Sequence, residues 1–415
     1  MRDRLAGTAL RRGTGRYYAC TAISTLATSY YLNYLFFHLR DRFGFGNREN
    51  LAAAALHGSL YMVSAWQAGR FAERHGFRTS LLLGSSGLVI VMIAGALAPT
   101  TRLEILTLAS YSLVLLLIWP ALEALVTQGE PPSRVPHVVG LYNCTWSGSA
   151  AVAYFTGGDL YARFGAGAVF WLPAVLFAAQ TLFILSWPRD SGSAQPAAHS
   201  LSTADADRSD ARPPQASHAT TRPAVARVFL RLAWVGNPFS YVAMYTLLAV
   251  MPGLVAHLGI PADRVGIFCS VWMFGRLAAF VVLWQWTGWH YRFGWLAGGY
   301  VVLLVSFVFV LTVPALLVIV VAQAVFGFAC GLMYYSSLFY AMDVGEAPGE
   351  HGGLHEAAIG AGIAAGPAVG ALSLALVPDV PHAGAMAVTA LLGAGLAVML
   401  GIWHRRPRGI LAPRP

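Results

Sequence analysis

Twelve mostly apolar stretches follow one another along the chain, each near the length of about 20 residues that crosses a hydrocarbon core of roughly 30 Å. They run at approximately 17–38, 50–71, 79–98, 104–127, 138–161, 167–187, 228–256, 264–286, 294–312, 314–341, 353–376 and 382–403. In lipid every backbone N–H and C=O must find its partner inside the protein, which leaves α-helices as the assignment for such runs. Composition agrees. Only 11% of the residues are charged and 57% are hydrophobic, whereas a soluble domain carries about 25% charged residues because its surface faces water. The fold class this predicts is an all-α membrane protein with twelve transmembrane helices.

All 27 basic residues are arginine. Without lysine the chain has no P-loop, whose lysine reaches the phosphates, and no Schiff-base chemistry. The formal net charge of +9 is spread over short loops and both termini, which reads as membrane topology and not as a nucleic-acid surface. With a cytoplasmic N-terminus, twenty arginines fall on the cytoplasmic side and six on the other, with Arg276 inside a span. That bias places both termini in the cytoplasm, and the expected location is a bacterial inner (plasma) membrane. The first span follows the basic run Met1–Arg16, is too long for a signal sequence and lacks a small-residue cleavage site, so it reads as a retained helix. Cys20, Cys144, Cys269 and Cys330 lie inside apolar stretches without CxxC spacing, as small buried residues do.

Between the sixth and seventh spans, residues 189–227 are rich in Ser, Ala, Pro, Asp and Arg. Such a segment cannot bury enough apolar surface to offset its ordering entropy and reads as a disordered cytoplasmic linker. The expected organisation is an N-terminal six-helix bundle over 1–188, the linker over 189–227, and a C-terminal six-helix bundle over 228–415. Gly140, Gly148 and Gly158 of span five match Gly352, Gly360 and Gly370 of span eleven at a constant offset. This is the mark of two halves related by duplication.

The loop after span two reads Gly69-Arg-Phe-Ala-Glu73-Arg74-His-Gly76-Phe-Arg78-Thr79. It resembles the major facilitator superfamily signature G-x-x-x-D-R-x-G-R-[RK] at the place where that family carries it. Glu73 stands for Asp, and Phe77 replaces the first residue of the basic pair. The resemblance implies two pseudo-symmetric six-helix bundles that alternate access to a central site. It also implies a cytoplasmic gate made by Gly69, Glu73, Arg74, Gly76 and Arg78. In span eleven, Gly362, Gly366, Pro367 and Gly370 resemble the family's G-x-x-x-G-P-x-x-G pattern, displaced from its usual place in span five. Small residues four apart let helices approach closely, so the expectation for these four is helix packing.

In that family, spans one, four, seven and ten line the cavity, helped by five, eight and eleven. The polar residues here fall mainly on those helices. Asn33 and Tyr34 of span one, Trp119 of span four, Asn143 of span five, Asn237 and Tyr241 of span seven, Arg276 of span eight and Tyr335 of span ten are the candidate substrate contacts. The bland alternative for each is an interhelical or interfacial contact. An ionisable side chain inside a span costs on the order of 2.5–3.5 kcal/mol on insertion scales, which marks it for function. Glu123, one turn after Trp119 and Pro120, is the candidate for proton coupling; a lock to a loop arginine is its structural alternative. Arg276 is balanced between an internal salt bridge and anion binding. Glu356 and His355 open span eleven, where an acid at a helix N-terminus is stabilised electrostatically. His351 and His355 do not make a metal site, because Gly352 and Gly353 argue against a continuous helix there.

The function this predicts is secondary active transport of a small organic solute by alternating access, coupled to protons. No catalytic residues, cofactor or metal are expected, and the partners are a small-molecule substrate and the lipid bilayer, with no nucleic acid and a monomeric chain. The alternatives are a membrane-embedded enzyme using Glu123 or the His355/Glu356 pair, and a non-transporting receptor or lipid mover with the same fold.

Overall fold

A computed structural model describes residues 13–131, 134–188, 223–344, 348–380 and 382–406. Residues 189–222, most of the segment read as a linker, lie outside the described residues. Helix α1 spans Gly15–Phe43, α2 Asn47–His75, α3 Phe77–Ala96, α4 Thr101–Leu115, α5 Trp119–Thr127, α6 Val135–Phe164 and α7 Ala168–Leu185. The second half comprises α8 Pro223–His257, α9 Val265–Gln285, α10 Phe293–Thr312, α11 Leu316–Val344, α12 Pro348–Leu376 and α13 Ala383–His404. Among the described residues nine helices are long and apolar enough to cross a membrane, counting Thr101–Thr127 as one. Helices α1, α2 and α6 have the length, at 29, 29 and 30 residues, but carry more polar side chains. Among the described residues twelve helices thus have the length to cross a membrane, nine of them with the composition as well. The three more polar ones earn their composition at the site below.

The break between α4 and α5 divides the fourth span. Leu117 N–H and Ile118 N–H donate three residues back, to Val114 and Leu115 carbonyls, tightening the turn. Pro120, in the first turn of α5, has no N–H to offer the preceding turn, so the helix restarts there at little cost. Several boundaries differ from the sequence expectation; α1, for one, runs on to Phe43. Helix α8 starts at Pro223, inside the segment read as linker. Helix α12 starts at Pro348 and continues through Gly352 and Gly353, which were expected to interrupt it. A glycine costs a helix about 1 kcal/mol relative to alanine, and packing along a 29-residue helix outweighs that.

Helix α1 packs on α6 and α7, and α3 on α7; in the second half α8 packs on α11 and α12, and α10 on α11. The halves meet chiefly where α2 lies against α12 and α6 against α9, with α1 and α2 also touching α8. Missing side chains permit these approaches. A Cβ on Gly58 would strike the backbone of Ile363 and Ala364, and one on Gly158 would strike the Gly266 backbone. Gly362 and Gly366 turn toward α8, at Pro238 and Val242, while Gly370 faces Leu51 of α2. The outward surface is apolar, with Ile90, Leu106, Val175, Leu182 and Leu317 each at least 60% exposed, as lipid-facing side chains are.

Candidate functional site

A cavity of about 140 Å³ lies between the halves. Each helix that reaches it presents one face. On α1 the lining residues Thr25, Thr28, Ser29, Leu32 and Asn33 follow the three-and-four spacing of a helical stripe. Thr25 and Thr28 spend their hydroxyl protons on α1 carbonyls, at 2.7 and 3.3 Å. The same spacing brings Tyr241, Met244, Tyr245 and Leu248 from α8, Trp119 and Glu123 from α5, and Glu356, Ile359 and Ile363 from α12.

Arg276, only 6% exposed, is the cationic centre of the wall. Its guanidinium lies over the Trp146 ring at 4.4 Å and near the Tyr334 ring at 5.2 Å, two rings that stack on each other at 5.8 Å. Nη2 donates to the Tyr241 hydroxyl at 3.3 Å and Nη1 approaches the Met244 sulfur at 3.6 Å. Among the described residues no carboxylate forms an ion pair with it. Cation–π contacts of this kind contribute on the order of 0.5–2 kcal/mol each. They hold the side chain in place without neutralising it.

Two carboxylates share the cavity. Glu356 accepts a hydrogen bond from the Tyr61 hydroxyl at 2.5 Å, a contact between α12 and α2 and therefore between halves. Glu123 is partly exposed and lines the same cavity as Glu356.

Of the sequence candidates, Asn33, Trp119, Glu123, Tyr241 and Arg276 line this cavity together. The other four candidate contacts do not. Tyr34 is buried, and its hydroxyl donates to the Tyr154 carbonyl at 2.6 Å. Asn143 is buried and does not line the cavity, although it stands one and two turns before the lining Ser147 and Ala150 on α6. Asn237 is buried one turn away from Tyr241, beyond the lining residues. In the tandem pair on α11, Tyr334 faces the cavity, whereas Tyr335 packs on Phe280 and Trp289.

Sequence reasoning assigned Glu356 to the mouth of span eleven; the earlier start of α12 puts it two turns inside, on the cavity wall. It missed Tyr61 and Trp272 among the lining residues. It also missed two buried polar pairs in the first half. His38 Nε2 lies 2.9 Å from Glu104 Oε1, and His57 Nδ1 lies 2.8 Å from Ser112 Oγ. Because the Ser112 hydroxyl donates to the Leu108 carbonyl, His57 Nδ1–H is the donor to Ser112. His355, offered with Glu356 as a catalytic pair, reaches Ser337 Oγ at 3.4 Å.

The segment read as a loop is almost all helix: Gly69–His75 end α2 and Phe77–Thr79 open α3, and the chain turns at Gly76 alone, whose φ of 89° is the left-handed region that glycine enters freely. Glu73 and Arg74 are exposed. Phe71 stacks on His75, and Arg78 donates to the Leu185 carbonyl at 3.4 Å, so these contacts stay within the first half.

Two helical halves enclosing one polar cavity have the architecture of a secondary transporter. The Major Facilitator Superfamily profile matches residues 17–367, and the chain belongs to that family. No curated protein matches the chain. Solved structures do. The nucleoside transporter NupG is 12% identical, with a TM-score of 0.69 over 97% of this chain and 99% of that one. The human organic anion transporter MFSD10 (TETRAN) is 14% identical, with a TM-score of 0.64 over 94% and 99%. A bacterial homologue of the human lysosomal transporter Spinster, inward-facing and unoccupied, is 11% identical, with a TM-score of 0.62 over 94% of each chain. At such identities the likeness is one of fold.

Proposed function

We propose that the protein is a secondary active transporter that moves a small organic solute by alternating access and couples that movement to protons through Glu123. The observation that carries this reading is a cavity lined from both halves, holding two carboxylates and an arginine that has no carboxylate partner among the described residues. A site shared by two bodies changes its access when they rock, without being rebuilt. Arg276 anchors the solute. Glu123, on the short helix after the broken fourth span, is placed to exchange a proton as the cavity changes its exposure.

The chain acts as a monomer and performs no covalent chemistry on its solute. The halves are joined by the segment between α7 and α8, with both termini in the cytoplasm of a bacterial inner membrane. The Gly69–Thr79 segment closes against the second half when the cavity opens to the other side. Alkaline phosphatase fused after Pro415 tests the orientation, since it is active only outside the cytoplasm. For the activity itself, the purified protein is reconstituted into liposomes and offered a panel of labelled solutes with and without an imposed pH gradient. Accumulation that collapses with an uncoupler supports the transporter. Recovery of a covalently altered solute, or an absence of flux for the whole panel, overturns it.

A further inference from the structure

N–H donors and carboxylates line the same cavity wall. Asn33 Nδ2, Trp272 Nε1 and Arg276 Nε are buried N–H groups without a hydrogen-bond partner, and all three residues line the cavity. A buried donor left unpaired costs about 1–3 kcal/mol; these three nitrogens are themselves sealed from solvent, and an acceptor that reached them would remove that cost. Arg276 adds a full positive charge whose surroundings are ring faces, a phenol and a thioether. The two carboxylates differ in their state of satisfaction. Glu356 already receives the Tyr61 hydroxyl, whereas among the described residues no side chain donates to the Glu123 carboxylate.

Ligands of different charge meet this wall differently. An anion alone would satisfy the donors but add negative charge beside two carboxylates. A cation alone would satisfy Glu123 and leave Arg276 without a counter-ion. A molecule with both charges answers both Arg276 and Glu123, which form no ion pair with each other among the described residues. The volume of about 140 Å³ sets the scale, since a cavity of about 150 Å³ holds benzene.

We propose that the substrate is a small zwitterion, an organic solute with a carboxylate-type anion and an ammonium-type cation. Arg276, Trp272 and Asn33 take the anion. Glu123 takes the cation, with the neighbouring aromatic faces adding attraction. A carboxylate that holds the substrate's cation cannot hold the coupling proton as well, so the two occupy Glu123 in turn. This inference rests on the transport reading of the same cavity.

The test uses two matched sets of probes on the purified full chain, with binding measured by calorimetry. The first set is leucine, 4-methylpentanoate and 3-methylbutylamine; the second is phenylalanine, 3-phenylpropanoate and 2-phenylethylamine. The zwitterion is expected to bind about tenfold or more tighter than both singly charged analogues in at least one set, which corresponds to about 1.4 kcal/mol. Arg276→Gln should erase its advantage over the amine, and Glu123→Gln its advantage over the acid. Should Arg276→Gln fail to fold, Trp272→Phe, which removes one N–H, should weaken zwitterion and acid alike and leave the amine unchanged. Equal binding of acid and zwitterion in both sets, or no binding of any probe at millimolar concentration, overturns the proposal. Flux of the same probes into proteoliposomes separates the two readings. Zwitterion-selective binding without flux defeats transport and leaves the site assignment standing, while gradient-driven flux of the acids without zwitterion preference does the reverse.

Discussion

The Tyr61 hydroxyl donates to Glu356 Oε2 across 2.5 Å, joining α2 of the first half to α12 of the second. Both residues also line the central cavity. One bond therefore fastens the halves and belongs to the site, so what happens at Glu356 is felt at the interface. Tyr61→Phe removes the donor and keeps the ring. A hydrogen bond of this kind contributes on the order of 1–3 kcal/mol, so the variant should unfold at a lower temperature in detergent. Glu356→Gln, which still accepts, should fall between it and the parent protein. Identical midpoints for Tyr61→Phe and the parent would mean that the bond adds nothing to the closed interface.

A second prediction concerns a pair outside the cavity. His38 and Glu104 meet at 2.9 Å with both side chains fully buried, and Arg42 reaches the same carboxylate at 3.9 Å. Removing one partner of a buried hydrogen bond leaves the other polar group unsatisfied and costs about 1–3 kcal/mol. Glu104→Ala should therefore lower the unfolding midpoint, and adding His38→Phe should recover part of the loss. A double variant as unstable as the sum of the two singles would show that they do not act as a pair.

The pattern of what could be read in advance has a physical basis. Lipid constrains length and polarity together, so the apolar runs announce the helices, and an ionisable residue inside one stands out, as Glu123 and Arg276 do. Helix rotation is a different matter. Tyr334 and Tyr335 are adjacent and chemically identical; both rings touch Phe280, and they part only in tertiary packing, Tyr335 against Trp289 and Tyr334 against Trp146 at the cavity. Glu356 depended on where α12 begins, and Gly352 and Gly353 pointed to the wrong place. His38 and Glu104 are 66 residues apart; nothing local to either reveals the other.

Glycines at the crossing of α6 and α9 lead to a third prediction. A Cβ at Gly158 would lie 2.5 Å from the Gly266 nitrogen, whereas one at Gly148 would meet only Leu277 methyl carbons, at 3.8 Å or more. Overpacking at such a site costs about 1–3 kcal/mol and shifts backbones. Gly158→Val should insert into the membrane and lose transport in a flux assay, while Gly148→Ala keeps it. Loss in both would mean that helix flexibility, and not close approach, is what these glycines provide.

The exposed Glu73 yields a fourth. If the Gly69–Thr79 segment is the gate of the alternating cycle, Glu73→Gln should slow transport and leave membrane insertion intact, as judged by flux per inserted molecule. Unchanged flux would reduce the segment to a topological signal.

The central claim is that Glu123 couples solute movement to protons in a cavity shared by the two halves. Its most direct test compares the parent protein with Glu123→Gln in proteoliposomes, measuring accumulation driven by a pH gradient and solute exchange without one. The account predicts that the variant loses gradient-driven accumulation and retains exchange. Accumulation by the variant at the parent's level would contradict it.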